Sequence, residues 1–240
     1  YIDPCAFKVL IKLESISLRY NVLEDLPASI FTYNPNVVKI HIQGNNVRFL
    51  HPELFKSNSQ LKIIDISYNK LKNLPPKMFK YNQLLVEVYL NNNNIMSLTS
   101  DVFQNNPNLR VVHLDNNKIT SIHSSLFHSN KQLKYANFSN NEIIIFGNDV
   151  VQQNCPREYL DISDNKLGSF ELCQIQCVEK PTITDISGNS ISCDYHVSDI
   201  CFTLRSDIVS ACDFKTSLKV SLRRKREEYS DQKCKMLSEK

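Results

Sequence analysis

Several side chains in the middle of this chain have types that could carry chemistry. His113, Asp115 and Ser139 are the residue types of a nucleophilic serine, histidine and aspartate triad. The same serine ends Asn137-Phe138-Ser139, the one N-x-S/T sequon of the chain and therefore its one candidate for N-linked glycosylation. Which of these chemistries is available depends on the elements that position the side chains.

An asparagine that recurs every 24 residues indicates which structural elements position these side chains. The residues around it recur as well, in the order L-x-x-L-x-L-x-x-N-x-L-x-x-L followed by a phenylalanine five residues later. Counted so that the asparagine is position 9, one coil has Leu61 at position 1, Ile64 and Ile66 at positions 4 and 6, and Phe79 at position 19. Such self-similarity predicts a solenoid. The recurring asparagines are Asn21, Asn45, Asn69, Asn93, Asn117, Asn141, Asn165 and Asn189.

This pattern resembles the leucine-rich repeat family in its 24-residue extracellular form. The resemblance implies an α/β repeat solenoid, a horseshoe with a parallel concave sheet and a C-terminal cysteine cap. We expect a partial N-terminal repeat at 1–12, eight repeats at 13–192 and the cap at 193–240. Positions 4 and 6 should face the core, and each buried asparagine should hydrogen-bond backbone groups. The phenylalanine column should form a second internal spine. Its members are Phe31, Phe55, Phe79, Phe103 and Phe127.

The ends of the repeat depart from the pattern. Ala136 stands where a leucine is expected, and Val151 stands where the spine expects a phenylalanine. Ile2 and Phe7 fall in phase one period before Leu26 and Phe31, so the chain is expected to begin inside a coil, with a truncated or processed N-terminus.

An open solenoid face argues against enzyme activity. Nucleophilic catalysis needs a sheltered pocket and an oxyanion hole as well as a triad. His41 and His113 are three coils apart, roughly 14 Å, so they cannot share a metal ion. We therefore expect no catalytic residues, no metal and no cofactor.

Cysteine placement indicates disulfides rather than zinc. Cys173 and Cys177 have a spacing that metal sites use, but no histidine lies nearby to complete a ligand set. Four cysteines follow the last repeat, and the family resemblance implies the pairs Cys193–Cys212 and Cys201–Cys234. The first two of them are eight residues apart, whereas the family usually separates them by one residue.

The remaining cysteines leave an odd thiol. Cys5 and Cys155 lie roughly 30 Å or more apart along the predicted stack, too far for a disulfide. If Cys155 pairs with Cys177, one coil later, then Cys173 is left over. We therefore predict that Cys5 or Cys173 forms an interchain bond.

The outward strand positions of the concave side form a candidate binding stripe. Tyrosine there favours protein interfaces because it is large, rigid and amphipathic; the alternative is a solvated sheet face without a ligand. A glycan on Asn137 would cover part of this face and direct a partner to the N-terminal half, the flanks or the convex side. The candidate binding residues are His41, Asp65, Tyr89, His113, Asp115, Tyr135, Tyr159 and Asp161.

Composition gives weaker constraints. The net charge of +3 provides no general argument for nucleic-acid binding, and no run of 18 apolar residues predicts a membrane span. The basic run Arg223–Arg226 is open to three interpretations: a solvated face, a furin-type processing site, or a patch for an acidic partner.

Finer motifs resemble insect immune proteins. The Leu26-Pro27 to Phe31 rhythm is similar to Toll-type ectodomains and to secreted leucine-rich repeat immune proteins of mosquitoes. The opening Ile-Asp-x-x-Ala-Phe and Cys193-Asp194-Tyr195 favour the mosquito group. That group forms disulfide-linked dimers and binds complement-like thioester proteins, so the resemblance implies a secreted, non-enzymatic scaffold of innate immunity. The alternative is the ectodomain of a cell-surface receptor or adhesion protein.

Overall fold

The computed structural model describes residues 1–147, 156–168 and 183–190. Eight strands of three residues each form one parallel sheet in the order β1-β2-β3-β4-β5-β7-β9-β10. Two shorter strands, β6 and β8, pair beside it. In chain order the strands are Ser15–Ser17, Lys39–His41, Ile63–Asp65, Glu87–Tyr89, Val111–His113, Ser121–Ile122, Tyr135–Asn137, Ile145–Phe146, Tyr159–Asp161 and Ile183–Asp185.

The strand register repeats without a slip. Ile40 is opposite Ile64, and Ile64 is opposite Val88, so each strand partner lies 24 residues away. The same offset holds at the end of the described stack, where Leu160 is the partner of Ala136. The predicted parallel-sheet solenoid is therefore confirmed.

The core follows the predicted alternation. Ile64 and Ile66, at positions 4 and 6 of their coil, are completely buried. The phenylalanine column is also internal: successive rings from Phe31 to Phe127 stack with centroids 5.9 to 6.2 Å apart. Phe7 extends the column backward, with its ring 6.4 Å from that of Phe31. The first residues of the chain thus pack in phase with the coils that follow.

The coil that contains Ala136 buries a phenylalanine at position 6. Alanine at position 4 leaves space, and position 6 of the same coil is Phe138, which is completely buried. Its ring lies 6.0 Å from Phe127 and 6.0 Å from Phe146, tilted against the first and edge-on to the second. Strand β7 keeps the register of its neighbours despite the missing leucine, with Ala136 opposite Val112 and Leu160.

The asparagines at position 9 form an inner asparagine ladder. The side-chain amide of Asn69 donates to the carbonyls of Ile42 and Ile66, and its oxygen accepts the backbone N–H of Val47. The same three hydrogen bonds recur in the neighbouring coils. The prediction that each buried asparagine bonds backbone groups is therefore confirmed.

A second ladder, on the opposite side of the core, was not predicted from the sequence. Each member donates to two carbonyls of the preceding coil; Asn58, for example, bonds the carbonyls of Phe31 and Asn34. All are completely buried. This outer asparagine ladder consists of Asn34, Asn58, Asn82, Asn106 and Asn130, and its own 24-residue spacing was the available signal.

The outer ladder also adds hydrogen bonds to the backbone carbonyls of the convex side. The described residues contain no helix; the outer segments are successive turns, such as Ile30 N–H to Pro27 O and Thr32 N–H to Ser29 O. The carbonyls of Phe31 and Asn34 each accept a backbone N–H within their own turns and a second hydrogen bond from Asn58 of the next coil.

The predicted cap lies outside the described residues, as do the predicted disulfide cysteines, Cys173 and the Arg223–Arg226 run. The division into 1–12, 13–192 and 193–240 therefore stays a prediction. Cys5 is the one cysteine in the described ranges; it is exposed and its thiol is free.

Candidate binding face

The concave face consists of positions 3, 5 and 7 of each coil, which alternate with the buried positions 4 and 6. In strands β3 to β5 the residues at positions 3 and 5 are partly exposed on both sides of a buried middle residue. Position 7 is less accessible than the alternation predicted: Gln43, Ser67 and Ser163 are buried. The strand pairing brings all eight predicted binding residues onto this one surface.

Aromatic side chains on the concave face stack across neighbouring strands. The rings of Tyr89 and His113 are nearly parallel, at 17°, with centroids 5.2 Å apart. Tyr135 and Tyr159 are 6.0 Å apart and tilted by 32°. Such contacts restrict the side chains before any partner arrives, which lowers the conformational entropy lost on binding.

Carboxylates hold two of these tyrosines. The Tyr89 hydroxyl donates to Glu87 and the Tyr159 hydroxyl donates to Asp161, both at 2.9 Å. Burial, reinforced by the hydrogen bond to the neighbouring carboxylate, raises the pKa of each tyrosine to about 12. Both hydroxyls are therefore neutral donors at physiological pH.

A repeated turn connects positions 5 and 7. The carboxylate of Asp65 accepts the backbone N–H and the hydroxyl of Ser67, at 3.1 and 2.7 Å. Asp161 and Ser163 form the same pair, and Asp161 is only 8% exposed. The role of Asp161 is therefore first to hold its own strand end. The signal in the sequence is D-x-S or N-x-S at positions 5 and 7, which our reading of the pattern missed.

The sequon is one instance of this turn. The side-chain oxygen of Asn137 accepts the backbone N–H of Ser139 at 2.9 Å and its hydroxyl at 2.8 Å. Asparagine and serine at this spacing therefore have a structural reason to be present, independent of any glycan. Asn137 lies on β7 and is partly exposed.

The triad residues are not assembled for catalysis. His113 Nδ1 lies 3.5 Å from Asp115 Oδ1, but the hydroxyl of Ser139 is engaged by Asn137 rather than by the imidazole. Within the described ranges, no cluster of three or more histidine, cysteine or acidic residues could hold a metal ion. No helix there is long and apolar enough to cross a bilayer.

At the N-terminal end the face becomes basic. His41 Nδ1 lies 4.0 Å from Asp65 Oδ2, with Arg19 and Lys39 on the same surface. Burial lowers the pKa of His41, and the charges of Arg19 and Lys39 lower it further against the opposing effect of Asp65. His41 is thus held toward its neutral form.

Comparison with known proteins supports the fold. A family model described as leucine rich repeat matches residues 35–95, 83–143 and 107–167, a continuous stretch of more than half the chain. No curated protein matches the sequence.

Three solved structures share the fold over about 80% of this chain. They are the leucine-rich repeat domain of APL1B (21% identity, TM-score 0.59), the LRIM1/APL1C complex (23%, 0.67) and a complex of TLR13 with the single-stranded RNA ssRNA13 (22%, 0.59). The chain spans 61%, 34% and 31% of them, respectively, so it corresponds to part of each.

Proposed function

Because the chain belongs to the leucine-rich repeat family, we propose that it is a non-enzymatic, extracellular protein-binding module whose concave face engages a protein partner. The observation that carries this proposal is the pair of aromatic stacks, Tyr89 on His113 and Tyr135 on Tyr159, held in place beside carboxylates. Leucine-rich repeat solenoids are typical protein-interaction scaffolds, and an extended sheet face offers a continuous surface for contact.

Within that function we favour innate-immune recognition or scaffolding of complement-like factors. One structural neighbour is a complex of LRIM1 with APL1C. The sequence resemblance adds the mosquito immune group. We propose a related leucine-rich repeat chain and a thioester-type complement protein as partners, and a secreted, disulfide-bonded glycoprotein as the form in which the chain acts. The second candidate is a receptor or adhesion ectodomain, supported by the shared fold of TLR13.

A disulfide-linked dimer fits the exposure of Cys5, whose thiol is free and accessible. Comparison of non-reducing and reducing gels of the secreted protein, with Cys5→Ser and Cys173→Ser beside the wild type, tests this point. A dimer band that one substitution abolishes supports the link. A monomer band under both conditions in the wild type refutes it.

Site-specific photo-crosslinking tests the binding face. A photoreactive phenylalanine analogue replaces Tyr135 on the concave face or Tyr33 on the outer turns, which have similar exposure, 41% and 45%. Tyr89 provides a second concave position, two coils from the sequon, in case a glycan covers Tyr135. In extracellular fluid from the source organism, we expect a crosslinked protein from a concave position and not from Tyr33. Equal capture at both faces, or capture at neither, would contradict the proposal.

A further inference from the structure

Charge on the concave face changes sign along the stack. From β3 onward, positions 3, 5 and 7 carry no lysine or arginine within the described ranges. They carry one histidine, His113, and five carboxylates. These carboxylates are Asp65, Glu87, Asp115, Asp161 and Asp185. Before β3, in contrast, the face carries Arg19 and Lys39.

Within the part of the chain that the structure describes, the five carboxylates have no cationic partner other than histidine. Among the described residues, none forms an ion pair with lysine or arginine; Asp65 and Asp115 have only His41 and His113 within 4.0 Å. Three basic residues at position 2 border the face, and two of them are engaged with other side chains: Arg110 bonds Gln132 and Lys134 pairs with Glu158. The third is Lys62.

The carboxylates of this face are also partly withdrawn from water. The side chains of Asp65 and Asp115 are 17% and 14% exposed, respectively. Coulombic attraction to an incoming cation is stronger at such positions than at a fully exposed carboxylate, because the local dielectric is lower. Aromatic rings beside them add a surface on which a cationic group can lie.

We infer that the acidic stretch of the concave face binds a cationic segment of a partner protein, with lysine or arginine side chains seated between the carboxylates and the tyrosine rings. When Asn137 carries a glycan, the segment occupies the coils of β3 to β5, where Asp65, Glu87 and Asp115 lie. This inference rests on the proposed binding function and names the chemistry of its partner. Phosphate groups would meet five carboxylates and no lysine or arginine at these positions, so the same surface disfavours nucleic acid.

The length of the face sets the size of the probe. Eight strands at about 4.8 Å spacing extend about 34 Å from first to last, and the acidic part from β3 to β10 spans about 24 Å. A ten-residue extended peptide reaches about 34 Å. The probe is therefore a fluorescein-labelled (Arg-Gly)5 peptide, compared with (Ser-Gly)5, (Glu-Gly)5 and a ten-nucleotide single-stranded RNA. Binding is measured by fluorescence anisotropy with the full 240-residue chain, freed of any glycan on Asn137.

The chain itself supplies conservative replacements for the variant. Asn137 occupies the position of Asp65 and Asp161 and makes the same turn, and Asn91 occupies the position of Asp115. The triple variant Asp65→Asn, Asp115→Asn and Asp161→Asn therefore removes three charges and keeps one acceptor oxygen at each position. At Asp161 and Asp115 it replaces the second oxygen, which accepts Tyr159 and Asn116 respectively, by an NH2 group. Its matched control, Glu24→Gln, Glu53→Gln and Glu142→Gln, removes the same charge elsewhere on the surface.

We expect (Arg-Gly)5 to bind at low salt and the other three probes to bind at least about tenfold more weakly. Each lost carboxylate should weaken binding by about two- to fivefold, so the triple variant should lose about tenfold or more while the control stays within about twofold. The wild-type comparison of probes does not depend on how the variants fold. Thermal unfolding of both variants shows whether either has lost its structure.

Three results would overturn the inference: no preference for (Arg-Gly)5 in the wild type, equal loss in the acidic variant and its control, or stronger binding of the RNA. If (Arg-Gly)5 fails while photo-crosslinking at Tyr89 or Tyr135 captures a protein, the cationic chemistry is wrong and the binding function stands. If neither concave position captures a protein, the proposed function itself is refuted.

Discussion

The rings of Phe79 and Phe103 stack with centroids 5.9 Å apart and planes within 3° of parallel, although 24 residues separate them. Both side chains are completely buried. The contact therefore joins adjacent coils through the outer part of the core, away from the strands. The phenylalanine column thus has the same 24-residue offset between neighbouring coils as the strands of the sheet.

Replacing a column member should be costly. Phe79→Ala removes a ring that stacks on two others and leaves a cavity, so we expect a loss of about 3–5 kcal/mol in the free energy of unfolding. Urea unfolding followed by circular dichroism measures it. Tyr81→Ala, two residues away and 40% exposed, is the control and should cost well under half as much. Equal losses at the two positions would show that the buried phenylalanine column contributes no more to the free energy of unfolding than an exposed ring does.

The outer asparagine ladder should also contribute to stability, by a smaller amount. Asn106→Ala leaves the buried carbonyls of Phe79 and Asn82 without their side-chain donor, at 3.1 and 2.8 Å in the wild type. Each carbonyl keeps a backbone donor, the N–H of Asn82 for Phe79 and the N–H of Leu85 for Asn82. We therefore expect destabilisation of about 1–3 kcal/mol from the two lost hydrogen bonds, each worth about 0.5–1.5 kcal/mol. Asn105→Ala, at the neighbouring and less buried position, should change stability by less than about 1 kcal/mol. A neutral Asn106→Ala would show that the side-chain bonds add nothing to the backbone bonds that these carbonyls already accept.

The sequon can be separated from the turn that it forms. Asn137→Asp removes the glycan acceptor but keeps an oxygen for Ser139, as Asp65 does for Ser67. Ser139→Ala removes both the sequon and the hydroxyl donor. We expect mass spectrometry to find a glycan on the wild-type protein and on neither variant, with only Ser139→Ala losing stability, by about 0.5–1.5 kcal/mol. An unmodified Asn137 in the secreted wild type would refute the glycan, and equal stability of the two variants would refute the role of the hydroxyl.

Acidification should destabilise the protein in part through His41. Because burial and the charges of Arg19 and Lys39 lower its pKa in the folded state, the unfolded chain binds the proton more readily. The stability that His41 contributes is therefore fully present above the ordinary pKa of about 6.5 and is lost as the pH falls toward the lowered value.

His41→Asn should reduce that loss, and asparagine is already accommodated at the equivalent position of β7. The measurement is the difference between the unfolding free energies at pH 7.5 and pH 5.0 in the wild type and the variant. Comparing the two differences removes contributions from Asp65, Arg19, Lys39 and the other titrating groups that both proteins share. An unchanged difference would show that His41 does not titrate as its surroundings indicate.

Much of the fold followed from periodicity. The 24-residue repeat predicted the strand register, the buried pairs such as Ile64 and Ile66, the inner asparagine ladder and the phenylalanine column, because each reflects one side chain repeated at one position. The outer ladder was equally periodic in the sequence and was overlooked because its asparagines lie outside the strand motif.

The side-chain contacts on the binding face could not be predicted from the repeat pattern. Alternation alone placed Asp65, Tyr89 and Asp161 on one surface, but it could not show which of them are held by neighbours two residues away. The burial of Asp161 arises from its bonds to Tyr159 and Ser163, which are contacts between specific side chains rather than consequences of period. The packing of Phe138 against Phe127 and Phe146, in the coil where Ala136 replaces a leucine, likewise depends on individual side-chain volumes and not on the repeat.

The two asparagine ladders constrain how such a chain can change length over evolution. The outer asparagines bond carbonyls 24 and 27 residues earlier, as Asn106 does in Asn82 and Phe79. The inner asparagines bond one carbonyl of their own coil and one 27 residues earlier, as Asn69 does in Ile66 and Ile42. Duplication or loss of one whole coil recreates every such bond at the new junction, whereas an insertion of any other length within the stack leaves donors and carbonyls out of phase. The gene can thus lengthen or shorten the binding face in steps of 24 codons, and each step moves the boundary between its basic and acidic parts without rebuilding the core.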